Sequence, residues 1–581
     1  MMVLLVFLSC KHRREVTARE LMDHISYLSS DSLKGRLAGT PGDSLAAEYI
    51  RDELASFGFD PLAGDGFQRF KVISTLSQGP DNALSAGDRS FTPGKDFMPL
   101  AITSNSGLVA EALFAGYGFN INIDSLKWND YKNADIMGKW VILLSGDPEP
   151  DNTASLFIPF SGDRDKALAA KDLGAGGVIF VSGPSYDRED NFESLNTTGM
   201  PVGIPVLRIK RDVANYIFSK TNRTVADLEE KLNASRKPQS FPVNLVINAR
   251  AEVLREMNTT RNVAMILRGE DQSLKNEYLI IGAHLDHLGM GGTGSGSRTP
   301  DTVAIHYGAD DNASGVSMML EIAEKFAGTP GSHKRSIICL AFAAEEMGLL
   351  GSKHFVDNPA IDLSKVNAMI NLDMVGRLPE TNSVQVSGVG TAEGLKELIT
   401  SASDTSLIKL ILSEGGYGPS DHSSFYRKDI PVLFYFTGVS LDYHTPSDTY
   451  DKINYPGMVN LSSLIFSVAE LLATSSDRLQ FREAGPAEPQ GRPARRRGVT
   501  LGITPDFAGN VKNGLRADFV TPGKPADLGG MKKGDIITSI NGKTVNNIYD
   551  YMSRMGQLKS GQTISVEVLR DGSRIVLLIQ L

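Results

Sequence analysis

Residues 279–315 read LIIGAHLDHLGMGGTGSGSRTPDTVAIHYGADDNASG, which is the pattern of a strand, a loop and the start of a helix. The apolar run 279–283 predicts a buried strand, which delivers His284 and then Asp286. After the Gly/Ser-rich loop, Asp310-Asp311-Asn312 opens a helix. A histidine and a carboxylate at such positions are the side chains that a divalent metal ion needs. The stretch therefore predicts a metal site beside a strand.

The surrounding residues 250–475 alternate between strand and helix patterns. The predicted strands are NVAMILRG, EYLIIGAHL, RSIICLAFAA, VNAMINLD, NSVQVSG and IPVLFYF. The predicted helices include ASGVSMMLEIAEKFAG, MGLLGSKHFVDN and AEGLKELITSAS. This alternation predicts an α/β core with a mostly parallel sheet, in which ligands bind at the carboxyl ends of the strands.

Further candidate ligands follow later strands of this core. Glu345 and Glu346 follow SIICLAFAA, Asp373 follows NAMINL, and His444 follows VLFYFTGVSLDY. With His284 and Asp311, these two histidines and the acidic side chains form the ligand inventory of a binuclear site. Two metal ions need a bridging carboxylate, and an activated water needs a general base, so an adjacent Glu pair can supply one ligand and one base.

The motifs H.D, GADDNASG, AAEEMGLLGS, NLDM, SDHSSF and YHTPSDT occur in the order found in co-catalytic di-zinc aminopeptidases, relatives of glutamate carboxypeptidase II and glutaminyl cyclase. The resemblance covers most of residues 17–475 and implies a phosphorylase/hydrolase-like fold with two Zn²⁺ ions. It implies His284 and Asp373 on one zinc, Glu346 and His444 on the other, and Asp311 as the bridge. It also implies Glu345 as the base, Asp286 as the partner that orients His284, and Tyr443 as a hydrogen-bond donor to the oxyanion.

Other polar side chains near these motifs have ordinary structural explanations. Asp310 is the alternative bridge or a helix cap. Asp421 and His422 are interpreted as structural or pocket-lining, and Asp448 as a supporting residue or a turn cap. His287 and His306 lie in or near the Gly-rich loop and are expected to be exposed.

The chain has 581 residues, so several domains are expected. The predicted divisions are a signal or lipoprotein segment (1–16), two parts of the peptidase domain (17–104 and 246–477) separated by an insert (105–245), a linker (478–497) and a C-terminal unit (498–581). The insert contains DYKNADIMGKWVILLSGDP and KALAAKDLGAGGVIFVSGP and resembles a β-rich protease-associated (PA) domain. The alternative is that it forms part of a larger α/β core.

The C-terminal unit resembles a PDZ domain of the bacterial protease type, through Pro525-Ala526 to Gly542-Lys543. The resemblance implies that Leu501-Gly502-Ile503 binds the carboxylate of a peptide beside an exposed sheet edge. The alternative is that the domain only docks on its own core.

The N-terminal MMVLLVFLSC resembles a secretory signal with a lipobox, which predicts export, either as a periplasmic or outer-membrane-associated lipoprotein anchored at Cys10 or as a secreted protein. The alternatives are a plain cleaved signal or a misassigned start. The net charge of -9 gives no indication of nucleic-acid binding.

The predicted activity is zinc-dependent removal of N-terminal residues from peptides. The alternatives are a carboxypeptidase or glutaminyl-cyclase-like reaction on the same fold, or a non-catalytic peptide-binding receptor. The five ligands are all present, which argues against the receptor.

Overall fold

A computed structural model describes most of the chain. The described residues are 14–123, 125–152, 155–192, 195, 201–404, 406–484, 500–505, 511, 513–520, 523–556, 558–559 and 561–581. Residues 1–13 of the predicted signal segment, which include Cys10, and most of the predicted linker lie outside them.

The described elements are numbered here in chain order. The helices are α1 (Ala18–Leu28), α2 (Pro41–Ser56), α3 (Asp163–Asp172), α4 (Arg211–Phe218), α5 (Val225–Ser235), α6 (Gly315–Ala327), α7 (Leu350–Asp357), α8 (Leu395–Ala402), α9 (His422–Tyr426), α10 (Tyr455–Thr474), α11 (Pro525–Leu528) and α12 (Ile548–Gly556). The strands up to the end of the insert are β1 (Asp60–Pro61), β2 (Phe67–Gln78), β3 (Ala83–Ala86), β4 (Arg89–Phe91), β5 (Phe97–Pro99), β6 (Ser106–Ala115), β7 (Asn120–Ile123), β8 (Leu126–Asn129), β9 (Trp140–Leu144), β10 (Gly177–Val181), β11 (Val206–Ile209) and β12 (Ser240–Ala251). The later strands are β13 (Val253–Leu267), β14 (Tyr278–His284), β15 (Ser336–Phe342), β16 (Val366–Leu372), β17 (Ser383–Ser387), β18 (Lys409–Ser413), β19 (Val432–Phe436), β20 (Ile503–Pro505), β21 (Leu515–Val520), β22 (Ile536–Ile540), β23 (Lys543–Thr544), β24 (Thr563–Arg570) and β25 (Ser573–Gln580).

The catalytic core is built on a sheet of order β1-β13-β15-β14-β16-β19-β17-β18, with β2 added on β13. Its central strands β15, β14, β16 and β19 run parallel, whereas β13 and β17 join them antiparallel. The α/β core with a parallel centre is confirmed. The antiparallel pairings of β13 and β17 lie on either side of this parallel centre.

Helices cover both faces of this sheet. Alternate residues of β15 face two different cores: Ile337, Cys339 and Ala341 belong to the core that contains residues of α1, α2, α6 and α10, and Ile338 and Leu340 belong to the core on the other face, with α7 and α9. Burial on both faces explains why these strands are continuous apolar runs rather than alternating ones. Among the described helices, α10 is long and apolar enough to span a membrane, but it packs into this core.

The insert forms a second sheet of order β4-β3-β12-β6-β9-β10-β11-β5, with its own two hydrophobic cores. It begins at β3 and ends with β12, so it extends beyond both predicted bounds, 105 and 245. Strands β3 and β5, both before residue 105, pair with strands more than a hundred residues later, which local patterns do not reveal. The long strands β2 and β13 pair antiparallel and connect the insert to the catalytic core. The assignment of this unit as a PA domain stays a prediction.

The C-terminal unit has a separate sheet of order β20-β21-β22-β24-β25 and its own core. Two partly buried ion pairs join its helix α12 to helix α3 of the insert. Arg164 lies 2.7 Å from Asp550, and Arg554 contacts both carboxylate oxygens of Asp172, with Nη2–Oδ1 at 3.0 Å. These two ion pairs therefore hold the C-terminal unit against the insert.

Candidate metal centre

The ends of the parallel strands deliver the candidate ligands to one edge of the core sheet. His284 is the last residue of β14, Asp373 follows β16, and Glu345 follows β15 by three residues. The chain turns sharply beside these ligands, because Ala344 and Met374 have φ values of 57° and 52°. Such left-handed residues reverse the chain direction at a strand end, so the turns direct the side chains into a common cleft.

The first ligand group consists of His284, Asp311 and Asp373. Nε2 of His284 lies 3.2 Å from Oδ1 of Asp311 and 3.3 Å from Oδ1 of Asp373. Ligand atoms about 2.0–2.1 Å from a tetrahedral zinc are separated from each other by about 3.3 Å. The spacing of this group therefore fits a zinc ion.

The second ligand group consists of Asp311, Glu346 and His444, so it shares Asp311 with the first. Nε2 of His444 lies 3.1 Å from Oδ2 of Asp311 and 3.2 Å from Oε2 of Glu346. Asp311 thus presents Oδ1 to one group and Oδ2 to the other, which is the arrangement of a carboxylate that bridges two ions. All five predicted ligands are brought together.

The cleft opens to solvent on one side of this cluster. The side chains of Asp373 and His444 are 13% and 14% exposed, whereas those of His284 and Asp311 are 2% and 5% exposed. A ligand can therefore approach past Asp373 and His444, while Asp311 lies deeper in the cleft.

Glu345 and Glu346 are adjacent in sequence but differ in their electrostatic surroundings. Burial raises the pKa of Glu345 well above its usual value, and Glu346 and Asp421 raise it further. For Glu346, burial and Asp311 also raise the pKa, but hydrogen bonds from His287 and His444 outweigh them and lower it to about 2. Two carboxyl groups whose pKa values are moved apart suit two roles, an ionised ligand and a proton carrier.

The carboxylate of Asp311 is also held ionised. Burial raises the pKa of Asp311, but hydrogen bonds from His284 and His444 outweigh it and hold the pKa well below its usual value. Burial lowers the pKa of His284, yet Asp373 and Glu345 raise it well above normal in the balance. His444 shows the same balance through Asp311 and Glu346, and its pKa rises to about 10.

Asp286 contacts His284 differently from the prediction. The Nδ1 atom of His284 lies 3.2 Å from the backbone carbonyl oxygen of Asp286 and 3.9 Å from its carboxylate. The carboxylate instead accepts a 3.0 Å hydrogen bond from the backbone N–H of Glu345. Asp286 therefore supports both His284, through its backbone, and Glu345, through its side chain.

Tyr443 stacks on His444 with ring centroids 3.8 Å apart. Burial raises the pKa of its phenol, and the carboxylates of Asp311 and Glu346 raise it further. The phenol therefore stays protonated and retains a proton that it can donate.

Asp310 and Asp448 support the turn that carries Asp311. Oδ2 of Asp448 accepts hydrogen bonds from the backbone N–H groups of Asp310 (2.9 Å) and Asp311 (3.1 Å), and its other oxygen lies 2.7 Å from Arg377. The carboxylate of Asp310 accepts from the N–H of Gly376 at 2.8 Å and belongs to neither ligand group. Asp448 thus caps the turn.

Asp421 and His422 lie at the start of α9 and are fully buried. The His422 ring stacks on Phe434 at 4.4 Å, and burial lowers its pKa to about 3. Burial also raises the pKa of Asp421 to about 7, although His284 lowers it. Neither residue belongs to a ligand group, in agreement with their interpretation as structural residues.

His287 and His306 are fully buried, so the expectation that they are exposed is wrong. Nδ1 of His287 lies 2.8 Å from Oε1 of Glu346, and Nε2 of His306 lies 2.8 Å from the hydroxyl of Ser297. The loop folds back over the metal-site edge, with an antiparallel bridge between Gly291 and Val303. The burial arises from this folding back, which the loop composition does not encode.

The Gly-rich loop contacts the ligand His444 through its backbone. The carbonyl oxygen of Gly296 lies 3.1 Å from Nδ1 of His444, and the N–H of Arg298 donates to the carbonyl of His444 at 2.9 Å. A proton on Nδ1 leaves Nε2 free for a metal ion. The loop therefore forms the rim of the site and orients one ligand.

Arg36 is a supporting residue that the sequence analysis missed. Its buried guanidinium donates hydrogen bonds to the carbonyl oxygens of Leu285 (2.8 Å), Tyr307 (2.9 Å) and Gly308 (2.9 Å), and also to that of Leu28. The carbonyls of Leu285, Tyr307 and Gly308 belong to the loops that carry His284 and Asp311, and that of Leu28 ends α1. The loop KGRLAGTPGD, which contains Arg36 and resembles the entry segment of zinc aminopeptidases, is the signal that could have identified it.

Two protein families and several known proteins are similar to parts of this chain. Residues 262–469 match Peptidase family M28, and residues 500–581 match the PDZ domain family. The chain is 27% identical over 468 residues to the aminopeptidase YwaD of Bacillus subtilis (strain 168), covering 77% of this chain and 83% of the relative. It is 30% identical over 213 residues to leucine aminopeptidase 1 of Ajellomyces dermatitidis, covering 34% of this chain and about half (53%) of the relative. Among solved structures, an aminopeptidase from Aneurinibacillus sp. strain AM-1 is similar, with 21% identity and a TM-score of 0.49, covering 84% of this chain and 99% of that one.

The cleft and these similarities define a metallo-exopeptidase, a hydrolase of peptide bonds. Its catalytic domain belongs to Peptidase family M28, and a PDZ domain follows at the C-terminal end. The predicted peptidase family and the predicted PDZ domain are confirmed.

Proposed function

We propose that this chain is an aminopeptidase that removes N-terminal residues from peptides with two zinc ions bound per chain. The observation that carries the proposal is the sharing of Asp311 between the two ligand groups, with one oxygen 3.2 Å from His284 and the other 3.1 Å from His444. Imidazole and carboxylate ligands at tetrahedral spacing suit zinc. Bound zinc would act as a Lewis acid toward a water molecule and the scissile carbonyl.

The protein side chains divide the remaining work. Glu345 takes the proton of the attacking water and delivers it to the departing amine, since its pKa is raised and its backbone is fixed by Asp286. Tyr443 donates a hydrogen bond to the oxyanion of the tetrahedral intermediate. Asp311 and Glu346, both ionised, hold the ligand groups in place.

The relatives support an amino-terminal rather than a carboxyl-terminal reaction. YwaD and leucine aminopeptidase 1 are both named as aminopeptidases, and their similarity covers 77% and 34% of this chain. The carboxypeptidase and cyclase reactions are alternatives on the same fold. A cyclase of this family uses one zinc ion, whereas this chain has ligands for two.

A panel of short peptides tests the proposal. The peptides are free, N-acetylated or C-terminally amidated, and one begins with glutamine. Mass spectrometry identifies the products before and after treatment with 1,10-phenanthroline. We expect stepwise shortening from the free N-terminus, also of the amidated peptide, together with loss of activity on chelation and recovery with Zn²⁺. Release of C-terminal residues, or cyclisation of glutamine without hydrolysis, would contradict the proposal.

We also propose that the PDZ domain binds the C-terminus of a peptide at Leu501-Gly502-Ile503. Strand β20 lies at the edge of its sheet and pairs only with β21 among the described strands. Leu501-Gly502-Ile503 leads into this edge, and Gly502 has a φ of 75°. Fluorescence anisotropy with labelled peptides is the test, with the intact chain as receptor. Equal binding of free and amidated C-termini would exclude recognition of a carboxylate.

Export of the chain and its lipid anchor at Cys10 are also proposed, on the N-terminal pattern alone. Expression of the full chain in a Gram-negative bacterium with radioactive palmitate tests the anchor. We expect labelling of the natural chain and none of Cys10→Ala. Equal labelling, or none in either, contradicts the anchor.

A further inference from the structure

One buried histidine beside the ligands has no role in the proposed mechanism. His287 follows His284 by three residues, is 0% exposed, and lies at the second ligand group with Asp311 and Glu346. Its ring packs against the backbone of Gly308, where a Cβ atom would approach its ring atoms to 2.7 Å. Its backbone N–H donates to the carbonyl of Arg36 at 3.2 Å. The ring is therefore held on several sides.

We propose that His287 is a positioning residue for the second metal ion, an inference that rests on the proposed metal-dependent function. Its Nδ1–H donates a hydrogen bond to Oε1 of Glu346, which turns the other oxygen, Oε2, toward the ion beside His444. In this arrangement one oxygen of Glu346 accepts a hydrogen bond from the protein, and the other is available to bind the metal.

The two oxygens of Glu346 have different neighbours. Oε1 lies 2.8 Å from Nδ1 of His287, and Oε2 lies 3.2 Å from Nε2 of His444. The first distance is that of a hydrogen bond to a charged acceptor. The second is close to the separation of about 3.3 Å expected for two ligands of one tetrahedral zinc. The contact with His287 is therefore a hydrogen bond, and the contact with His444 is a ligand pair.

The far side of the His287 ring supports the same assignment. Among the described residues, none offers a hydrogen-bond partner to its buried Nε2. If Nδ1 bound the metal, Nε2 would carry a hydrogen without an acceptor. With the hydrogen on Nδ1, Nε2 carries only a lone pair. The distance of 3.8 Å from Nδ1 to Oδ2 of Asp311 also exceeds the ligand spacing seen for His444.

The arrangement makes the two ligand groups inequivalent. At the first group, the orienting contact reaches a histidine, since Nδ1 of His284 meets the carbonyl of Asp286. At the second group there are two orienting contacts. The carbonyl of Gly296 orients His444, and Nδ1–H of His287 orients the carboxylate of Glu346. Loss of His287 should therefore weaken the second site and spare the first.

The variants His287→Ala and His287→Asn test the proposal. The side-chain N–H of asparagine occupies nearly the position of Nδ1–H, so Asn can donate to Glu346, whereas Ala cannot. The metal-free chains are titrated with Zn²⁺ to obtain the number and affinity of sites, and with Co²⁺ to record the visible spectrum of each site. His354→Ala serves as the control, because that histidine lies on α7 and stacks on Phe70.

We expect His287→Ala to weaken the second site by about 10- to 100-fold, the usual effect of removing a contact behind a metal ligand, with the first site unchanged. His287→Asn should recover most of this affinity with a Co²⁺ spectrum like that of the natural chain. Unchanged affinities in His287→Ala would overturn the inference. An Asn variant as weak as the Ala variant would also overturn it, by showing that the ring binds metal directly.

The outcome is separable from that of the proposed function. If the natural chain binds no second ion, the proposed function fails before any variant is compared. If it binds two ions and His287→Ala behaves like the control, only the role of His287 fails. Should His287→Ala not fold, as judged by thermal unfolding of the metal-free chain, the Asn variant and its Co²⁺ spectrum still decide between a hydrogen bond and direct ligation.

Discussion

The Nη2 atom of Arg36 donates a 2.9 Å hydrogen bond to the carbonyl oxygen of Gly308, 272 residues later in the chain. The same guanidinium reaches Leu285 and Tyr307, so one side chain joins the loop after His284 to the loop before Asp311. The N-terminal segment is thereby part of the metal centre, although it contributes no ligand.

Replacement of Arg36 by Met should destabilise the catalytic domain. Buried carbonyl oxygens lose their donors, and each unsatisfied group costs about 1–3 kcal/mol. We expect a loss of roughly 3 kcal/mol or more in the catalytic-domain transition of the metal-free chain, measured by calorimetry. Arg19→Met, at a side chain that is 91% exposed on α1, is the control. Equal transitions in the two variants would show that the contacts of Arg36 contribute little.

Replacement of Glu345 by Gln should abolish proton transfer without emptying the site. The amide keeps the shape of the side chain but cannot accept the proton of water. We expect kcat to fall about 10²- to 10⁴-fold, with zinc content unchanged by elemental analysis. Glu346→Gln is the matched comparison, because it should reduce the metal content as well. Near-normal turnover by Glu345→Gln would remove this residue from the mechanism.

Replacement of Tyr443 by Phe should affect turnover more than substrate binding. The ring that stacks on His444 is kept, and only the hydroxyl is lost. Removal of one donor to an oxyanion lowers kcat by about 10²- to 10³-fold in other hydrolases. We expect a fall of that order with KM little changed, in steady-state assays on a single aminoacyl substrate. A rise in KM alone would instead indicate a role in substrate binding.

Metal binding should strengthen steeply as the pH rises. The raised pKa of His444, about 10, means that this imidazole is protonated at neutral pH in the metal-free protein, and the pKa of His284 is raised as well. A metal ion must displace these protons, so falling pH favours the proton over the metal. Calorimetric titration with Zn²⁺ in buffers of different ionisation enthalpy should show proton release at pH 7. Binding without proton release would contradict this picture.

The PDZ domain should separate from the insert when the ion pair between Arg554 and Asp172 is removed. Arg554 is 2% exposed and contacts both carboxylate oxygens of Asp172. In Arg554→Ala the partly buried carboxylate of Asp172 loses its arginine partner, which is more costly than the loss of an exposed pair. We expect a larger radius of gyration in small-angle X-ray scattering. Arg574→Ala, at an arginine that is 78% exposed in the same domain, should leave the profile unchanged.

The sequence predicts the parts of the site that depend on local pattern. Apolar runs end at His284 and just before Asp373, so the strands and the ligands at their ends follow from one pattern. The motifs then select Asp311 over Asp310, and the structure places only Asp311 in both ligand groups.

Long-range contacts explain what the sequence did not predict. His287 is buried because the loop around Arg36 and the backbone of Gly308 close around it. The bounds of the insert depend on strands β3 and β5 pairing with β12 and β11, far along the chain. Neither relationship leaves a periodicity in the residues concerned.

The Gly-rich loop reaches His444 with a backbone carbonyl and a backbone N–H rather than with side chains. Its tolerance to change should therefore depend on length more than on residue identity. A point substitution at the exposed Thr293 leaves both contacts intact, whereas an insertion or deletion between Gly292 and Arg298 shifts the register of the loop against His444. This part of the site depends on the length and path of the loop backbone, and a search for residue motifs therefore does not detect it.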